Sequence, residues 1–204
     1  ESDVDTGYVA LPNHLPYPFA SQAIQKGKHV IIEKPMTTSV DELEALQSLA
    51  AKHNVIMLEA MNIHDLPAYI SLKSQLASLG DIKLVTLNYS QYSSRYDDFM
   101  AGIVHPAFDA SKGGGALMDI NVYNLHFVAG LFGEPESVNY FANMHNNIDT
   151  SGMMLIDYGD FKCVCIGAKD CKAPTTSLIQ GVKGNVQITL PVNQRIGYEM
   201  ALNS

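Results

Sequence analysis

Three short apolar runs, Tyr8-Val9-Ala10-Leu11, His29-Val30-Ile31-Ile32 and Val55-Ile56-Met57-Leu58, alternate with two stretches of helical spacing. Pro12 stops the first run and Pro35 follows shortly after the second. Residues 17–26 carry the first helical pattern, which closes at Gly27, a natural C-terminal cap. Before the second pattern, Ser39 precedes Glu42 by three residues, the spacing of a capping box. The helix it opens runs to about His53. Val40, Leu43, Leu46 and Leu49 fall on one side, with acids in its first turn and Lys52 in its last. Strand–helix–strand–helix–strand with short connections predicts a parallel sheet covered by helices.

Beyond Met61 the pattern changes. Helical spacing covers residues 66–79 and ends at Gly80, and residues 83–93 alternate as a strand. Residues 94–115 show little periodicity and read as an irregular loop. A second helix runs from about Ala116 to Phe132. Strands follow at 137–143, 153–158, 162–168, 176–180 and 185–190, with turns at Gly159-Asp160 and Lys183-Gly184. Strands joined in succession by tight turns predict an antiparallel sheet. The fold class expected is α/β then α+β. A parallel-sheet domain occupies residues 1–62, and a domain with an open antiparallel sheet and helices on one face occupies 63–204.

Composition narrows the partners. The 204 residues hold 13 Lys+Arg against 21 Asp+Glu, a formal net charge of −8. That balance argues against nucleic acid or an anionic membrane surface. No apolar run approaches the roughly 18 residues of a membrane span. Glu1-Ser2-Asp3-Val4-Asp5 does not read as a signal peptide. Cys163, Cys165 and Cys171 are an odd count without a CxxC pair, which fits a reducing, cytoplasmic compartment. The 7 His residues form no HxH or HExxH pattern, so no metal site is expected.

Two constellations could carry chemistry. In open parallel sheets ligands sit at the carboxyl ends of strands. Glu33-Lys34-Pro35 stands at that end of the second strand and Pro12-Asn13-His14 at that end of the first. Lys34 there can face a ligand, or it is a plain surface lysine on a turn. The other constellation follows Gly113-Gly114-Gly115, a run that permits close backbone approach at a helix start. At 100° per residue, Asp119, Tyr123 and His126 fall within about 60° of one another. The rest of that helix is largely apolar, so the polar stripe lines a cavity, forms a satisfied core network, or faces solvent. As a cavity lining it is a site of proton transfer, since Tyr and His both hold and release protons. Arg95 is either a ligand for a polar substrate or a surface arginine.

Three motifs in this order resemble the Gfo/Idh/MocA oxidoreductases, the relatives of glucose–fructose oxidoreductase, inositol dehydrogenase and dihydrodiol dehydrogenase. They are Val9-Ala10-Leu11-Pro12-Asn13-His14, Gly27-Lys28-His29-Val30-Ile31-Ile32-Glu33-Lys34-Pro35, and Gly113-Gly114-Gly115-Ala116-Leu117-Met118-Asp119. The resemblance covers nearly the whole chain. It implies that residues 1–62 are the C-terminal half of a Rossmann-type dinucleotide-binding domain. Residues 63–204 would be a substrate-binding domain whose antiparallel sheet makes a homo-oligomer. The reaction implied is hydride transfer between NAD or NADP and the hydroxyl or carbonyl carbon of a sugar, polyol or related small alcohol.

Residue by residue, Lys34 matches the motif lysine near the nicotinamide and the reacting oxygen. Asp119 matches the acid that contacts substrate. Tyr123 falls where the sugar oxidoreductase and dihydrodiol branches place a catalytic tyrosine and inositol dehydrogenases a histidine. Pro12 and Asn13 match the nicotinamide pocket, with His14, Glu33 and Pro35 beside them. His126 and Arg95 stand as substrate-binding candidates, His126 also as a rival acid–base. Asn121 departs from the glycine many members carry there. No GxGxxG precedes residue 59, so the resemblance implies a piece without the upstream phosphate loop and the C-terminal end, inactive alone. The alternative is a sugar- or nucleotide-sensing regulator of the same fold. Retention of Lys34, Asp119 and Tyr123 together argues for the enzyme.

Overall fold

The computed structural model describes residues 3–194 and 197–203, so Glu1 and Ser2 of the opening segment lie outside the described residues. Strands β1 (Thr6–Val9), β2 (His29–Glu33) and β3 (Met57–Ala60) form a parallel sheet in that order. The first strand sits two residues earlier than the apolar run suggests. Its register pairs Thr6 with His29, and Leu15 N–H already turns back to Pro12 O at 2.8 Å. Helix α1 (Pro16–Gln25) begins on a proline, whose missing N–H costs nothing in a first turn. Helix α2 (Val40–His53) is capped by Ser39, whose Oγ accepts from Glu42 N–H at 3.3 Å. Glu42 reaches back to Thr38 N–H, one residue before the partner a standard capping box uses. Val9, Val30 and Ile32 from the sheet bury against Ala20, Ile24, Leu46 and Ala50 of the helices.

The chain divides into two compact units: Glu1–Met61 with Asp109–Gly114, and Asn62–Phe108 with Gly115–Ser204. The short glycine-bearing segment belonging to the first unit is not visible as such in the sequence.

In the second unit, β4 (Ile82–Ser90) is the central strand of seven. The others are β5 (Ser137–His145), β6 (Ile148–Asp157), β7 (Lys162–Ala168), β8 (Thr176–Gly181), β9 (Gly184–Ile188) and β10 (Tyr198–Leu202), in the order β10-β9-β8-β4-β7-β6-β5. The sheet is mostly antiparallel, with one correction to the sequence reading: β4 and β7 pair in parallel, from Leu84↔Lys162 to Ser90↔Ala168. Tight turns fix only consecutive partners. Here β4 is inserted between β7 and β8, and residues 169–175 pass over its end. Asn146 and Asn147, at φ 47° and 63°, make the β5–β6 turn, so β6 starts at Ile148.

Helices α3 (Pro67–Gln75) and α5 (Val122–Phe132) lie on the unit's buried side, and the stretch read as an irregular loop contains the short helix α4 (Tyr96–Met100). Val85, Leu87, Cys163, Cys165, Ile156 and Ile179 are buried on the inner sheet face. On the outer face Phe141, Met153, Leu155 and Leu84 are exposed.

Candidate functional site

At the carboxyl edge of the parallel sheet, Pro12 and His14 are exposed and Asn13 is half-buried. The Asn13 amide donates to Gly113 O at 2.8 Å. Gly113 has φ +69°, and a Cβ there would lie 2.8 Å from Thr38 Cγ2 and 3.0 Å from Asn13 Cβ. Glycine is therefore required by the first unit's own packing. Glu33 accepts a short hydrogen bond from the Tyr8 hydroxyl on the neighbouring strand. That bond pushes the Tyr8 phenol above its ordinary range. Lys34 is half-buried and joined to the buried Pro35 by a cis peptide bond. Glu59, at the end of β3, accepts from Met36 N–H at 2.9 Å and so anchors the turn that carries Lys34. The sequence reading missed Glu59. Its position at the matching end of a third parallel strand is the signal that points to it. All six residues expected near the cofactor thus lie together in the first unit.

In the second unit the expected straight helical stripe is corrected. Leu117–Asn121 is a π-helical turn leading into α5, so the helix is wider across Asp119 than 100° per residue assumes. Two buried asparagines hold it against the sheet. Asn121 donates to Cys165 O at 3.1 Å, and Asn124 donates to Asn121 Oδ1 at 2.9 Å and Ile166 O at 3.0 Å. The fit depends on Gly167, where a Cβ would meet Asn121 Cβ at 2.7 Å. Asn121, the departure from the family's glycine, is thereby matched by a glycine on the facing strand.

The helix start is capped from β6. Asp149 Oδ2 accepts from Leu117 N–H and from Tyr140 Oη, both at 2.7 Å. Burial, then the bond to Asp149, pushes Tyr140 far above its ordinary range. Gly115, at φ +109°, leaves the space that Asp149 fills. Gly113 and Gly115 are thus both closed by protein neighbours.

Asp119 and Tyr123 converge on Tyr89 of β4. The Tyr89 and Tyr123 rings are 6.1 Å apart. Burial raises the Tyr89 phenol, a hydrogen bond with Asn193 opposes this, and the charges of Tyr123 and Asp119 add to the rise. Asp119 pairs with Lys169 at 2.7 Å. His126 turns elsewhere, with Nδ1 3.4 Å from His64 Nε2. Arg95 is exposed before α4, and its backbone N–H donates to Ser93 Oγ. Tyr89, Asn193 and Lys169 were not legible as site residues: the first reads as a core strand position and the other two as polar turn residues. Among the described residues, no group of three or more His, Cys, Asp or Glu side chains gathers as a metal site would.

The fold and these two polar clusters define a class: a helix-covered parallel sheet followed along the chain by an open mixed sheet. Comparison with known proteins specifies it. The model of the oxidoreductase family with an NAD-binding Rossmann fold matches residues 1–61, and that of the GFO/IDH/MocA C-terminal domain matches residues 74–187. The chain is 36% identical over 186 residues to scyllo-inositol 2-dehydrogenase (NADP(+)) IolU of Bacillus subtilis, covering 90% of this chain and 56% of that one. It is 28% identical over 194 residues to trans-1,2-dihydrobenzene-1,2-diol dehydrogenase of Xenopus tropicalis, covering 92% and 56%. The crystal structure of aldose–aldose oxidoreductase from Caulobacter crescentus, complexed with glycerol, superposes with a TM-score of 0.81 at 25% identity, covering 97% of this chain and 60% of that one. The chain belongs to the Gfo/Idh/MocA oxidoreductase family. It spans just over half the length of the curated relatives it matches.

The polar groups at the parallel edge that could meet a dinucleotide are the exposed His14 imidazole and the half-buried Lys34 ammonium, beside an Asn13 amide that donates to Gly113 O. The glycine-rich turn that would cradle the pyrophosphate is not among residues 1–61.

Proposed function

We propose that the chain carries the reacting groups of an NAD- or NADP-dependent dehydrogenase acting on the CH–OH group of a small sugar, polyol or related alcohol. Residues 1–62 would serve the dinucleotide and residues 63–204 the substrate and self-association. One observation carries the reading. In a chain of this family, Lys34 stands at a parallel-sheet edge, and Asp119 and Tyr123 stand together beside Tyr89 in the second unit.

Bound NAD(P) supplies a carbon that takes up or gives a hydride. The chain's own residues handle the proton and the charge. In oxidation the Tyr123 oxygen takes the hydroxyl proton of the alcohol, and in reduction it returns a proton to the carbonyl oxygen. A phenol is a weak base near neutrality, and an ammonium nearby favours the phenolate. In our reading Lys34 has the role of assisting Tyr123 and of stabilising negative charge on the reacting oxygen. The pairing of Lys34 with Tyr123 rests on family membership and the chemistry of the two groups. Asp119 accepts a substrate hydroxyl. Pro12, Asn13, His14, Glu33 and Pro35 shape the edge that receives the nicotinamide. His126 and Arg95 contact more distant substrate hydroxyls. The three free cysteines fit a cytoplasmic location.

The test, made in a protein that carries this chain together with a dinucleotide phosphate loop, is oxidation of scyllo-inositol and of trans-1,2-dihydrobenzene-1,2-diol with NAD⁺ and NADP⁺, before and after Tyr123→Phe. Turnover should fall by about 100-fold or more, with the unfolding midpoint unchanged. Unaltered turnover in Tyr123→Phe would sink the assignment, and loss confined to His126→Ala would transfer it to His126.

A further inference from the structure

Lys169 is the least exposed charged side chain among the buried residues described, at 3%. It lies where the chain leaves β7 to cross the end of β4. Its N–H donates to Thr150 O and its carbonyl accepts from Ser93 N–H, both at 2.8 Å. Nζ stands 2.7 Å from Asp119 Oδ2, donates to Ala107 O at 2.6 Å, and lies 4.2 Å from the centre of the Phe108 ring. A buried ammonium is costly unless a charge and hydrogen-bond acceptors meet it. Here a carboxylate from the Asp119 helix, and a carbonyl and a ring face from the adjacent residues Ala107 and Phe108, do so from two separate segments. The Asp119 side chain, by contrast, is 41% exposed. One end of this ion pair is locked in protein while the other is partly exposed.

We infer that Lys169 is a positioning residue: its buried ammonium fixes the Asp119 carboxylate beside Tyr89 and Tyr123 and offsets its negative charge there. The inference rests on the roles proposed above for Asp119 and Tyr123. The offset has a chemical consequence. An isolated Asp119 carboxylate would oppose a Tyr123 phenolate, since like charges disfavour ionisation. With Lys169 on Asp119, the acid can bind a substrate hydroxyl while opposing the base less. Among the charged and titratable groups of this unit that act with Asp119 are Lys169, through the ion pair, and Tyr89, whose phenol also feels Tyr123.

The test uses Lys169→Met, Lys169→Arg, Asp119→Asn and the Lys169→Met/Asp119→Asn double variant. With scyllo-inositol and NADP⁺ as probe, Lys169→Met should lower kcat by about tenfold or more, with the KM for NADP⁺ unchanged. The rising, acid-side limb of its pH profile for oxidation should move to higher pH. Lys169→Arg should recover most of the loss, and Lys169→Met should add less than about twofold to Asp119→Asn, because a residue that acts through another adds nothing once that partner is gone. A full additional loss in the double variant would overturn the proposal.

A second arm needs no turnover. In ¹³C NMR of the side-chain carboxyls, Asp119 should take up its proton at higher pH in Lys169→Met than in the parent. Coincident titration curves would overturn the proposal whatever the kinetics show. If Asp119→Asn leaves turnover intact while the curves separate, the substrate role of Asp119 fails and the Lys169 inference stands. Should Lys169→Met not fold, Lys169→Gln keeps a donor for Ala107 O without the charge and takes its place in both arms.

Discussion

Gly115 shows how closely a single residue sets the site. Its φ of +109° is one that side chains rarely adopt, and an added Cβ would lie 2.0 Å from Asp149 Oδ1. Asp149 cannot yield, because the same carboxylate caps Leu117 N–H and accepts from Tyr140. Gly115→Ala therefore combines backbone strain with loss of the cap that starts the Asp119 helix. Gly102 isolates the first component: it has φ +88° and nothing within 4 Å of the added Cβ. Urea unfolding should show about 1 kcal/mol lost in Gly102→Ala and about 3 kcal/mol or more in Gly115→Ala. Equal losses would mean that Asp149 moves aside freely and that its cap is dispensable.

At the scale of elements, the helix carrying Asp119 and Tyr123 is seated on β7 by a size match between Asn121 and Gly167. Gly167→Ala drives a methyl to 2.7 Å from Asn121 Cβ and 3.2 Å from Ile120 Cγ2. It should cost about 1–3 kcal/mol by overpacking, and a smaller residue at 121 should recover part of that. A thermal-unfolding cycle over Gly167→Ala, Asn121→Gly and the double variant measures the coupling, and strict additivity would sink the match. The physics of this contact also explains what could be read ahead of the structure. The parallel β1–β3 unit was legible because each strand pairs with its neighbour in sequence and Pro12, Gly27 and Ser39 punctuate it. The Lys34 edge followed from that reading, whereas Asp119 and Tyr123 were placed on one helix by the separate spacing of residues 116–132. The β4–β7 pairing was not legible, since nothing local to either strand encodes insertion of one between two others. Lys169 was hidden for the same reason: Ala168-Lys169-Asp170-Cys171-Lys172 looks like a charged surface turn until the crossover buries it. The π-turn was hidden because Asn121 and Asn124 act through carbonyls of a strand some forty residues away, and helical periodicity does not register them.

For the molecule as a whole, the proposed self-association is tested on the outer face of the seven-stranded sheet. Phe141 pairs with Met153, Met153 with Ile166, and Leu155 with Val164, which makes one continuous apolar surface across three strands. Phe141 and Met153 are 62% and 51% exposed, far more than core positions tolerate. Single exposed apolar residues are ordinary, whereas a contiguous patch of this kind is where the proposed self-association would bury apolar area. The formal charge of −8 works against contact between copies, since each repels the next at low ionic strength. At physiological salt that repulsion is screened beyond roughly 8 Å, while apolar burial is not weakened. At the end of the patch, Asp157 and Lys162 are already paired with each other at 2.7 Å, so they add little repulsion. Self-association through this face should therefore strengthen as salt rises from 0.02 to about 0.15 M, the reverse of an interface held by ion pairs. Light scattering during size exclusion should find a multiple of the 22.2 kDa chain mass. Phe141→Lys with Leu155→Lys should return the single-chain mass and leave the unfolding midpoint within a few degrees, because both side chains face outward. A parent that stays at single-chain mass across that salt range, or a double variant that still associates, would place self-association elsewhere than on this sheet.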